Sequence, residues 1–326
     1  MRSLGKSRTW IAAASFVWAA LAADAPHKAP ASDASATAHR GTQLAESGHC
    51  DQALTLLTKS APHLTAGDLE KTVGLDGIKC AMTMNQMDAA ADFVRILQRD
   101  FPKDPQVLYV ATHVYSDLSI RASRALMYSA PGSYQVHQLN AEALEAQGRW
   151  DDAAAEYRQV LQQDPKLPGM HYRLGRIVLS KPPTATSSEE ARREFQAELE
   201  IDPSNAGAEY VLGELARQDR NYPEAIEHFG RATKLDRTFA DAYIGLGRSL
   251  VAGGKVAEAL APLETAVKLQ PQNAAAHYHL GVVYQRTGRK EEAAKEFALR
   301  KEISDRNRQM ADDVHAGIVG PQEPEP

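Results

Sequence analysis

The chain has 326 residues and a formal net charge of −5, too long for one compact core and suited to two globular domains or one elongated array. Hydrophobic residues make up 43% and aromatics only 6%, which favours closely packed helices over a large aromatic core. The acidic balance and the lack of any Lys/Arg block argue against a nucleic-acid binder, so no nucleic-acid partner is expected.

Residues 1–22 read as a signal peptide. Arg2, Lys6 and Arg8 form a positive region, and Trp10 to Leu21 is apolar and uncharged. Ala20-Leu21-Ala22 supplies the small residues that a signal peptidase reads, which predicts cleavage after Ala22. The apolar run is short against the ~20 residues of a spanning helix. An uncleaved anchor is therefore the second reading, and no membrane span is expected after cleavage. No cysteine lies near the cleavage point, which disfavours a lipid anchor. The expected location is periplasmic or extracellular. Residues 23–37 lack a periodic apolar pattern and read as a flexible linker.

Residues 38–133 carry a weak helix-pair pattern. Gly48, Ala53 and Leu57 space out as a turn glycine, a small residue and a large one. Asn85, Ala90, Val94 and Pro102 do so less cleanly. Val107 to Leu118, then Ala122 to Tyr128 before Pro131, reads as a third pair. Cys50 and Cys80 are the only cysteines. They are either a disulfide between neighbouring pairs, contributing roughly 3–4 kcal/mol by loop closure, or two buried thiols at helix contacts.

From residue 134 onward the sequence repeats itself. Leu212-Gly213, Leu246-Gly247 and Leu280-Gly281 recur at a step of 34 residues. Ala225, Ala259 and Ala293 follow at the same step, as do Phe229, Leu263 and Phe297. With the turn glycines Gly148, Gly254 and Gly288, these residues resemble the tetratricopeptide-repeat family, whose unit is a helix–turn–helix of this period. The clear copies are 134–167, 168–205, 206–239, 240–273 and 274–303. The resemblance implies an all-α, right-handed superhelical solenoid of antiparallel helix pairs, about eight in residues 38–303. Three departures stand out: Arg237 replaces a proline, Glu198 and Arg300 replace a small alanine, and Lys181-Pro182-Pro183-Thr184 lengthens one turn.

Gly175, Gly213, Gly247 and Gly281 sit inside predicted helices, where glycine costs ~0.5–1 kcal/mol relative to alanine. A repeated penalty predicts close helix approach, with Ala153, Ala191, Ala225, Ala259 and Ala293 as the facing small residues. Residues 304–319 read as a capping helix, formed as an extension of the last repeat helix, and 320–326 as a disordered tail.

The resemblance implies that first helices line a groove for a protein or peptide segment. The matching positions are Gln138, Glu142, Tyr172, Arg176, Tyr210, Glu214, Arg217, Arg248, Tyr278 and Gln285. Tyrosine and arginine are residue types that carry interface energy. The family's Lys/Asn clamp for a terminal carboxylate is not matched. His171 and His277 take the place of a large first-helix residue and are expected to pack. His277 and His279 point to different helix faces, and no His-Glu-x-x-His string occurs, so no metal site is expected. No cofactor motif survives either: Gly245-Leu246-Gly247 lacks both a third glycine and a preceding strand. The function read from these residues is a non-enzymatic binding scaffold of the cell envelope. The alternative is an accessory subunit, or an enzyme whose site lies in 38–133, the least family-like region.

Overall fold

The structure, a computed structural model, describes residues 31–318. The signal-peptide reading of 1–22 and the tail reading of 320–326 lie outside these residues. Among the described residues every regular element is a helix. The chain divides into two compact units, Met1–Arg124 and Ala125–Pro326.

The first unit begins with α1 (Ala31–Glu46), α2 (Cys50–Ser60), α3 (Asp68–Thr83) and α4 (Met87–Asp100). These helices pair as α1–α2 and α3–α4. The linker reading therefore fails for 31–37, which are helical. Ala34 and Ala38 bury one face there; alanine is the best helix former, but its methyl is too small to give an apolar period. Cys50 and Cys80 are joined by a disulfide with Cα atoms 4.9 Å apart, tying the start of α2 to α3.

The third expected pair is instead one helix, α5 (Pro105–Ser129), and the division between units falls within it. No glycine or proline interrupts residues 106–130, so nothing stops the helix between Leu118 and Ala122. Only Val107, Ala111 and Val114 bury, at helical spacing, into the first unit's core.

The second unit holds five hairpins. They are α6 (Tyr134–Ala146) with α7 (Trp150–Gln163), and α8 (Met170–Ser180) with α9 (Ser187–Ile201). Next come α10 (Ala206–Gln218) with α11 (Tyr222–Leu235), and α12 (Ala240–Ala252) with α13 (Leu260–Leu269). Last is α14 (Ala274–Arg286) with α15 (Lys290–Ile318). Residues 304–318 extend the last helix, α15, as the sequence allowed. No glycine or proline breaks the run from Lys290 to Ala316. Ile303 is buried, whereas Asp305 to Asp313 are exposed.

The helix glycines make room for a large side chain, not for the alanines. A Cβ on Gly175 would stand 2.8 Å from Phe195, and one on Gly213 would stand 2.9 Å from Phe229. Gly247 meets Leu263 at 2.5 Å and Gly281 meets Phe297 at 2.7 Å. Each is the large residue of the glycine's own hairpin. Phe229 also reaches Gly245 of the next hairpin, at 2.5 Å. The first unit uses the same device, with Gly41 against Leu57 at 2.7 Å and Gly77 against Phe93 at 2.5 Å.

The Glu198 departure has a structural cause. Its buried carboxylate accepts hydrogen bonds from the Gly169 N–H (2.7 Å), the Tyr172 N–H (3.2 Å) and Asn205 Nδ2 (3.3 Å). It satisfies otherwise orphaned N–H groups at the start of α8. Arg300, at the same repeat position, places its guanidinium carbon 5.2 Å from the centre of the Tyr278 ring, a cation–π distance.

Candidate protein-interaction face

Three first helices of the second unit touch in succession, α10 on α12 and α12 on α14. That row brings side chains from different hairpins onto one surface. The ten sequence-selected residues, spread over α6, α8, α10, α12 and α14, divide into three groups.

The first group is neutralised internally. Gln138 Nε2 donates to Glu142 at 3.2 Å. Arg173 lies 3.7 Å from Glu142 and 3.1 Å from Glu145, and Arg176 lies 4.0 Å from Glu145. The buried Tyr157 hydroxyl donates to Glu145 at 3.0 Å. Burial and that acceptor push the hydroxyl's ionisation far upward. Arg173, which joins these carboxylates, was not among the ten.

The second group packs. The Tyr172 ring centre is 5.5 Å from that of Phe195, edge to face. Its hydroxyl lies where a Cβ on Gly207 would be only 2.9 Å away. Tyr210 lies 5.7 Å from Phe229 and 4.9 Å from Phe239. Burial, then Glu214 and Asp241, push its hydroxyl's pKa up. These two tyrosines therefore seal hairpin contacts. Tyr278 differs, being 42% exposed.

The third group converges. Arg217, Arg248 and Arg286 line one pocket of about 290 Å³ with Tyr222, His279 and Val282. Arg217 donates to Glu214 Oε2 from Nη2 at 2.6 Å and from Nε at 3.2 Å. His279 is held neutral: burial first, then Arg248 and Arg217, lower its pKa to about 4. Sequence reasoning missed His279, Arg286 and Tyr222. Arg286 ends α14, outside the family's usual groove positions. Gln285 is exposed beside it.

His137, His171 and His277 tie their hairpins together by hydrogen bonds to glutamates. His137 Nδ1 is 2.6 Å from Glu156, His171 Nδ1 is 2.7 Å from Glu194, and His277 Nδ1 is 2.6 Å from Glu296. His277 Nε2 also lies 3.0 Å from the Pro271 carbonyl. Among the described residues no group of three His, Cys, Asp or Glu side chains is placed to hold a metal ion. No helix among them is long and apolar enough to cross a membrane.

In the first unit a pocket of about 490 Å³ lies between α2 and α4, over Phe93 and Ile96. Its charged residues have partners. Arg95 pairs with Asp92, and Arg99 pairs with Asp100 and lies 3.4 Å from Glu70. The rest of the region consists of α1 to α5 and the turns that join them.

Two repeat-family models match stretches of the second unit. The TPR-repeat family model matches residues 141–181 and 247–288, and a second tetratricopeptide-repeat model matches 185–238. Anaphase-promoting complex subunit 3 of Schizosaccharomyces pombe is 23% identical over 177 residues. The match covers 54% of this chain and only 26% of that relative. Similar solved structures include MamA, at 24% identity and a TM-score of 0.47, covering 52% of this chain and 96% of that one. YrrB, described as a TPR protein with an unusual peptide-binding site, is 22% identical with a TM-score of 0.48. That match covers 56% of this chain and 92% of YrrB.

Proposed function

We propose, from the premise that this chain belongs to the tetratricopeptide-repeat family, that it is a non-enzymatic scaffold of the cell envelope holding a segment of a partner protein along its first-helix row. One observation carries the reading. Helices α10, α12 and α14 touch in succession while leaving Arg248, Tyr278 and Gln285 at least partly exposed. Tyrosine and arginine left in that state on a firm helical surface are the types that anchor interfaces.

Export rests on two features. The N-terminal sequence has the charged, apolar and small-residue succession of a secretory signal. The Cys50–Cys80 disulfide suits an oxidising compartment, since such bonds are rare in the cytosol. Together they favour a periplasmic or extracellular site of action.

The test is affinity capture from envelope extract, with the full chain and a Gln138→Ala/Tyr278→Ala/Gln285→Ala variant as parallel baits and mass spectrometry as readout. A protein held by the first and lost by the second, with circular dichroism unchanged, supports the first-helix face. Identical captures by both baits would move the binding surface elsewhere, with the 38–133 region the next to test.

A further inference from the structure

We propose that the pocket formed by Arg217, Arg248, Arg286, His279 and Tyr222 binds a phosphate-class dianion, either inorganic phosphate or a phosphomonoester. It shares a face with the partner-segment reading, but the anion site requires no partner.

The arrangement gathers like charge on one face, with Arg217 and Arg248 half-buried and Arg286 exposed. Three guanidiniums from α10, α12 and α14 line one cavity, and like charges repel most where water is partly excluded. The chain as a whole is acidic, at −5, so the cluster runs against the general charge. Glu214 matches Arg217. Among the described residues, no carboxylate comes within 4.0 Å of the guanidinium of Arg248 or Arg286. Two positive charges are left unmatched, and a dianion balances two. Asp241, the other carboxylate acting on neighbouring Tyr210, lies in the first turn of α12, about two helical turns from Arg248.

Shape favours phosphate over carboxylate. A carboxylate offers one charge and two oxygens, enough for a single guanidinium fork. Phosphate offers oxygens in several directions, which suits forks arriving from three helices. The Tyr222 hydroxyl and a neutral His279 add uncharged donors. The volume of about 290 Å³ sits just below the ~300–1,000 Å³ of sites for drug-sized ligands, as a headgroup-sized ligand requires. An anion here would also oppose the two arginines that depress His279, so its imidazole should titrate higher when the site is filled.

The experiment is calorimetric titration of the full chain at neutral pH and low salt with inorganic phosphate, O-phosphoserine and succinate. One phosphate compound should bind once per chain, with succinate at least about tenfold weaker. Arg248→Gln and Arg286→Gln should each weaken binding by about tenfold or more, the scale of a lost charged hydrogen bond. Arg158→Gln, an exposed change on α7, should have no effect. Arg248→Lys and Arg286→Lys should recover part of the loss, and circular dichroism should be unchanged throughout. Equal binding of the two phosphate compounds marks a free-anion site, and preference for the ester marks a carried phosphate; either supports the proposal. No binding of either compound, binding indifferent to both glutamine variants, or succinate binding as well as phosphate overturns it. Because no partner is present, failure here leaves the capture experiment standing, and the reverse holds too.

Discussion

His228 Nδ1 lies 2.6 Å from Glu209 Oε2, and this pair is the reverse of His171 with Glu194. In three hairpins the histidine stands on the first helix and the glutamate on the second. In α10–α11 the two residues have changed places. Burial pushes Glu209 upward, but hydrogen bonds from His228 and Arg231 outweigh it and hold the carboxyl below its usual range. A depressed carboxyl stabilises the fold above its unfolded pKa and loses that contribution as pH falls through the folded one. Either single change, Glu209→His or His228→Glu, brings like residues face to face and should cost about 1–3 kcal/mol. The double exchange restores the orientation of the other hairpins and keeps an acid three residues from Arg231. It should recover most of the loss in a urea-unfolding cycle. A double variant as unstable as the sum of the singles would show that the pair does not act as a unit.

The buried carboxylate of Glu198 makes a second prediction. Glu198→Ala leaves the Gly169 and Tyr172 N–H groups without their acceptor. The expected cost is about 2 kcal/mol, as for a lost buried acceptor. Glu198→Gln keeps one acceptor oxygen and should cost less. The check is the urea midpoint at unchanged slope. Ala232 and Ala266 occupy the same repeat position and are themselves buried, so an alanine there is sterically acceptable. A neutral Glu198→Ala variant would mean that the cap carries no net stability.

How much of this was legible depends on whether the signal was local. Leu-Gly and a large residue sixteen positions on mark three second-unit hairpins directly, Gly213 with Phe229, Gly247 with Leu263 and Gly281 with Phe297. The same interval joins Gly41 to Leu57 and Gly77 to Phe93. It therefore marks first-unit hairpins too, whereas the small alanines there do not face these glycines. The single helix α5 was hidden because residues 107–128 are apolar at helical spacing on both sides of the supposed break. The Arg217–Arg248–Arg286 pocket depends on how three hairpins stack, and no window of sequence contains that rotation. Tyr172 and Tyr210 were selected by position, yet aromatic neighbours on adjacent elements absorb them.

Arg220 sets up a third prediction. It occupies the turn between α10 and α11 with φ of 59°, where Gly148, Gly254 and Gly288 have φ of 70°, 83° and 82°. A side chain in the left-handed region costs roughly 1–2 kcal/mol, and glycine avoids that cost while losing somewhat more chain entropy. Arg220→Gly should therefore stabilise the fold by about 0.5–1 kcal/mol, seen as a higher thermal midpoint. Gly254→Arg should do the opposite. A destabilised Arg220→Gly variant would show that the arginine contributes more than its backbone conformation costs.

Glu70 makes stability depend on pH near neutrality. It is 1% exposed, and its Oε2 is buried with no hydrogen-bond donor. Burial, reinforced by Asp100 and only partly opposed by Arg99, pushes its carboxyl up to about 7. Asp100 is held low, chiefly by its hydrogen bond with Arg99. A protonated Glu70 thus has an ionised acceptor beside it, which accounts for the oxygen lacking a donor. The folded pKa is raised, so this group's stabilisation is fully present below the unfolded value of 4.5 and is lost as pH rises to about 7. In that window the folded chain retains a proton that the unfolded chain has released, and stability falls with rising pH. The full span is about 3 kcal/mol. Glu70→Gln cannot ionise and should flatten this slope. Urea unfolding of both chains at pH 5, 6, 7 and 8 reads the difference directly, because every other titrating group is shared. The variant should gain relative stability steadily toward pH 8. Parallel curves would assign the proton to another group, the nearest alternative being Asp76, whose carboxyl is also raised by burial.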